Sequence, residues 1–98
     1  MRAKLLAEAR EELHQAIDFL ERQSAGTGEL FALEVKDSLA NINDFPFAGL
    51  EYYHGTRRWL LKRFPYSIVY SIEKNNIVVY AFVHFKRDPN YWLNRLKQ

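Results

Sequence analysis

The sequence has no cysteine. That excludes a disulfide framework and a thiolate zinc site, and it fits a reducing compartment. Long apolar runs are also missing: nothing approaches the roughly 20 residues needed to span a bilayer. The first ten residues carry Arg2, Lys4, Glu8 and Arg10, leaving no apolar stretch long enough for a signal peptide. A soluble cytoplasmic protein with no membrane partner is expected. His14, His54 and His84 form no pair at ligand spacing, so no metal is expected. Gly26-Thr27-Gly28 lacks a Walker or Rossmann context, which leaves no expected cofactor. The only prolines are Pro46, Pro65 and Pro89, and with four glycines they punctuate a chain free of repeats and low-complexity tracts.

What is present suits one compact domain over residues 1–98, with 48% apolar residues. A domain of this size buries about two thirds of the surface its unfolded chain exposes, so its stability is modest and a partner that binds the folded state would matter. The net charge of +2 hides a division. Residues 1–50 hold five Lys or Arg against nine Asp or Glu, and residues 51–98 hold nine against three. The pattern predicts an acidic helical face and a basic face that attracts phosphates or an acidic partner segment.

Apolar residues at Leu6, Ala9, Leu13, Ala16, Ile17 and Leu20 have helical spacing, with Glu8, Arg10, Glu11, Glu12, Asp18, Glu21 and Arg22 on a solvated face. Met1 to Leu5 reads as a short strand or as a first helical turn. Thr27 is a candidate cap for a second helix burying Phe31, Val35, Leu39 and Ile42. Pro46 ends that helix near Asn43 or Asp44, leaving residues 45–53 as a crossing loop. Strands are predicted over 56–64, 66–73 and 77–85, the last two joined by a hairpin at Lys74-Asn75-Asn76. Strict alternation puts Tyr66, Ile68, Tyr70 and Ile72 on one face, and sets Ile77, Val79, Ala81 and Val83 against Val78, Tyr80 and Phe82. A strand apolar on both faces belongs in a doubly covered position. Asp88-Pro89 reads as an N-cap with proline at the first helical position, opening a short helix to about Lys97. The fold class is α+β: a helical hairpin packed on a three- to four-stranded antiparallel sheet, closed by a short helix.

Two segments narrow this description. Residues 57–70 run Arg-Arg-Trp-Leu-Leu-Lys-Arg-Phe-Pro-Tyr-Ser-Ile-Val-Tyr, and residues 84–92 run His-Phe-Lys-Arg-Asp-Pro-Asn-Tyr-Trp. Both resemble signatures of ParE-type toxins in the RelE/ParE superfamily, and the order of elements along almost the whole chain is similar to that family. Pro65 is read as a strand boundary or bulge, and Tyr91 and Trp92 as aromatic anchors against the end of the sheet.

The resemblance implies the toxin of a type II toxin-antitoxin system, one used in plasmid stabilisation. In the ParE branch that toxin inhibits DNA gyrase and is neutralised by a cognate antitoxin whose disordered segment folds along it. Arg57, Arg58, Lys62, Arg63 and Arg87 are the cations expected to meet the antitoxin or the target. Replacing Arg58 and Arg63 by Glu is expected to weaken antitoxin binding or toxicity and leave the fold intact. An alternative is a RelE-like ribosome-dependent mRNA endoribonuclease, with the ribosome and mRNA as partners. Such an enzyme needs a base, an acid and cations around the scissile phosphate. Arg58, Lys62, His84 and Arg87 are the candidates, with Lys86 as a further cation. The plainer reading of His84 is a strand terminator bonded to nearby backbone or to Asp88, and of Arg87 a carboxylate's partner. A third alternative is an inert toxin-like interaction module.

Overall fold

The computed structural model describes residues 3–97. In chain order its elements are β1 (Ala3–Leu5), α1 (Ala7–Gln23), α2 (Thr27–Asp44), β2 (Leu50–Glu51), a single 3-10 turn (Tyr53–Gly55), β3 (Arg57–Leu60), β4 (Tyr66–Glu73), β5 (Asn76–His84) and a closing 3-10 helix (Pro89–Lys97). The fold is α+β, with the helical hairpin and the closing helix where the sequence places them. The sheet is larger than three or four strands. It has five, in the order β1-β5-β4-β3-β2, and it is mixed because β1 runs parallel to β5. Both extra strands, of three and two residues, are too short to register as a periodic pattern.

The helices form where the apolar spacing predicts. Ala9, Phe31, Val35 and Ile42 are buried against Ile68, Tyr70, Ile77 and Val79 of the sheet. The cap of α2 differs from expectation. Thr27 makes no capping bond, and Gly26 holds the preceding position in a left-handed conformation, φ 89°. Glu21 of α1 supplies the acceptor, its carboxylate taking the N–H groups of Gly26 (2.8 Å) and Gly28 (3.0 Å). A charge-assisted bond from the neighbouring helix thus satisfies donors that a local side chain usually serves.

β3 is shorter than the 56–64 expected, because the chain leaves the sheet after Leu60 and turns through Pro65 before β4. The β4–β5 turn has Lys74 and Asn75 at φ 49° and 69°, the two positive angles that a twisted hairpin requires. In β5 the alternation breaks. Val69 pairs with Ala81 and Tyr70 with Val79, so Tyr80 is an extra, bulged residue. Tyr80, Ala81 and Val83 then line one face, and Phe82 joins Ile77 and Val79 on the other. This corrects the strict alternation read from sequence.

The backbone freed at the bulge is claimed by an ion pair. Glu12 accepts the Phe82 N–H (3.2 Å) and takes Arg95 through two nitrogens (2.8 and 3.2 Å), while Arg95 also donates to the Tyr80 carbonyl (2.9 Å). Glu12 is therefore half-buried and structural, not part of the solvated face. Arg95 stands on the closing helix, whose cap is as expected: Asp88 accepts the Asn90 N–H at 2.9 Å. That helix seats a fully buried Trp92 on the second face of the sheet.

Candidate functional site

The five cations singled out by sequence do not form one cluster. Arg57 and Arg58 are adjacent on β3, so their side chains leave opposite faces of the sheet. Arg57 opposes Tyr70 and Arg58 opposes Val69. Arg57 is clamped inward, donating to the carbonyls of Phe47 (3.1 Å) and Gly49 (2.8 Å), with its guanidinium over the Phe47 ring. Arg58 lies over Tyr52, 4.8 Å from the ring centroid, and Tyr52 in turn stacks on Trp92. Both arginines thus hold structure together. The Arg58→Glu substitution would disturb this stack, which removes it as a clean reporter of partner binding.

Lys62 and Arg63 are different. Their backbone N–H groups are tied to the Glu34 carboxylate of α2, which fixes the turn and leaves both side chains exposed. They form one wall of a groove of about 440 Å³ between α2 and the end of β3. Leu30 and Leu33 of α2 and Trp59 of β3 give this groove an apolar floor, and Glu34 and Asp37 stand on the α2 side. β2 pairs only with Arg57 and Arg58, so among the described residues no strand lies on the outer side of Trp59 and Leu60. Sequence reasoning found Lys62 and Arg63 but missed Leu30, Leu33 and Trp59. Their signal was present: Leu30 and Leu33 are apolar and fall off the buried stripe of α2.

The remaining candidates meet elsewhere. His84 and Arg87 line a smaller cleft of about 190 Å³ with Glu12, Tyr66 and Tyr91. The His84 Nδ1 accepts the Lys86 N–H (3.1 Å), the backbone role anticipated for it. Arg87 stacks on the Tyr91 ring, 3.6 Å from its centroid. Burial, and then the nearby Glu12 carboxylate, raise the Tyr91 phenol well above its ordinary value, so it keeps its proton. Arg58 faces the opposite side of the sheet and Lys62 belongs to the groove, so the four ribonuclease candidates do not converge on a phosphate. His14 is exposed on α1, and His54 occupies a left-handed position, φ 55°, in the 3-10 turn. Among the described residues no group of three or more His, Asp or Glu is placed to hold a metal ion, and no helix is long and apolar enough to cross a membrane.

Comparison with known proteins decides what this framework is. The family model for the ParE toxin of the type II toxin-antitoxin system parDE matches residues 3–89. The chain belongs to the ParE toxin family. Among solved structures, a chain of the chromosomal ParDE toxin-antitoxin system from P. aeruginosa has the same fold: TM-score 0.73 at 17% identity, covering 86% of this chain and 95% of that one. No curated protein matches. The chain is thus the toxin component of a type II toxin-antitoxin system, and membership implies a cognate antitoxin as partner. Of the two segments that carried the resemblance, residues 57–70 and residues 84–89 fall within the matched region, and Asn90-Tyr91-Trp92 lie beyond it.

Proposed function

We propose that this ParE-family toxin acts in the cytoplasm by inhibiting DNA gyrase, without bond-making chemistry of its own, and that its antitoxin lies in the groove between α2 and β3. The observation that carries the reading is the dispersal of the catalytic candidates. A ribonuclease must hold cations and a proton donor around one phosphate, and here Arg57 and Arg58 are spent on packing while His84 and Arg87 sit in a cleft apart from Lys62.

The groove supports the partner reading. Its apolar floor suits the hydrophobic stripe of an amphipathic segment, Lys62 and Arg63 suit its acidic residues, and the bare outer side of Trp59 and Leu60 offers backbone groups to an extended one. The Lys62→Glu, Arg63→Glu double variant should weaken antitoxin binding at least 10-fold with an unchanged Tm. For the target, purified chain added to a gyrase supercoiling reaction should leave cleaved DNA and leave ribosome-bound message intact. Cut message with normal supercoiling would support the RelE-like alternative instead.

A further inference from the structure

The α2–β2 connector carries the two most exposed large apolar side chains among the described residues, Phe47 (69%) and Phe45 (65%). Exposed phenyl rings on a slack loop fold back onto the protein or onto each other. This loop has no slack. The Tyr70 ring is fully buried in the sheet, and its hydroxyl donates to the Pro46 carbonyl (2.7 Å) while accepting the Gly49 N–H (3.2 Å). Arg57 grips the loop from β3 through the Phe47 and Gly49 carbonyls. Gly49 itself has no space for a side chain, because a Cβ there would overlap the Tyr70 hydroxyl. A buried tyrosine and a clamped arginine thus hold the backbone of a loop whose two rings stay largely exposed, Phe47 with the Arg57 guanidinium over it.

Such mounting makes a preorganised anchor, since the ordering cost of binding is already met by the fold. The shape selects the partner. An antitoxin segment that is disordered until it binds brings its own apolar side chains and needs a groove, as between α2 and β3; a projecting pair of rings needs a cleft that already exists in a folded protein. The flanking charges narrow it further. Asp44 and Glu51 are exposed on either side, Glu51 only loosely paired with Arg57 at 3.9 Å, which disfavours nucleic acid and suits a cationic rim.

We infer that Phe45 and Phe47 are the target-facing anchor of this toxin, inserting into an apolar, basic-rimmed cleft on a folded protein, at a site separate from the antitoxin groove. The inference rests on the toxin reading and identifies the surface by which the target is reached. In the test, the Phe45→Ser, Phe47→Ser double variant and the Asp44→Lys, Glu51→Lys double variant are expressed without antitoxin, and each purified protein is titrated with antitoxin. The serine pair should lower killing at least 100-fold and the lysine pair about 10-fold, while antitoxin affinity stays within threefold of the parent, which also reports an intact fold. Undiminished killing by the serine pair would overturn the inference. So would a parallel loss of antitoxin affinity, because the loop would then belong to the antitoxin's site, and so would stronger DNA retention by the lysine pair with full killing. A parent chain that kills without trapping gyrase overturns only the identity of the target; one that does not kill overturns both readings.

Discussion

The two faces of the sheet are covered by very unequal means. On one, helices of 17 and 18 residues lay a broad apolar stripe over Ile68, Tyr70, Ile77 and Val79. On the other, a nine-residue 3-10 helix covers Val69, Tyr80, Ala81 and Val83 with one fully buried side chain, Trp92. A 3-10 helix of that length has poorer hydrogen-bond geometry than an α-helix and gains little from propensity. Its main ties are few: the Trp92 ring with Tyr52 stacked on it, the Arg95–Glu12 pair that reaches across to α1, and the half-buried Tyr91, Leu93 and Leu96 beside them. Stability is distributed on the first face and pinned on the second.

The sharpest way to break this comparison is Trp92→Ala. Removing a fully buried indole should cost about 3–5 kcal/mol, read as a fall in denaturation midpoint, and should free the closing helix. A cost below about 1 kcal/mol would mean that the second face is not pinned there. Next comes Arg95→Ala, which leaves Glu12 and the bulged Tyr80 carbonyl short of a partner in a site where both charged side chains are about 14% exposed or less. Loss of about 2–3 kcal/mol is expected. A double-mutant cycle with Glu12→Gln should show that most of it is shared. On the hairpin side, Gly28→Ala places a Cβ 2.6 Å from the Ile17 carbonyl, so α1 and α2 must separate slightly. About 1–3 kcal/mol is expected, spread over a cover that can adjust.

The smallest effect concerns pH. Burial raises the phenols of Tyr66, Tyr70, Tyr80 and Tyr91 above their ordinary value of 10.0. A group with a raised folded-state pKa contributes its stability fully below the unfolded value and loses it as pH rises. Stability should therefore be flat through neutral pH and decline above about pH 10. Tyr91→Phe should soften that decline while changing little at pH 7, as followed by urea midpoints across the alkaline range.

The hairpin face was legible in the sequence because its burial repeats with the helical period over many residues, from Leu6 to Leu20 and from Phe31 to Ile42. The closing helix was legible from one dipeptide, Asp88-Pro89. What escaped depends on single residues or on pairs distant in sequence. The bulge at Tyr80 reverses the faces of β5, yet Val78 to Val83 are all apolar or aromatic, so no polar residue marks the slip. Glu12 reads as one more charge on an acidic helix until Arg95, 83 positions later, arrives beside it. Arg57 and Arg58 read as a basic patch by composition, although the strand period of two sends them to opposite sides. Of the candidate site, Lys62 and Arg63 were found by charge, and Leu30, Leu33 and Trp59 required the fold.

Expression of the chain in growing cells, with and without the antitoxin supplied beside it, tests the central claim most directly. A toxin of this family should arrest growth alone, and growth should return when the antitoxin is induced. Unimpaired growth at high levels of folded chain without antitoxin would contradict the account and leave an inert binding module in its place.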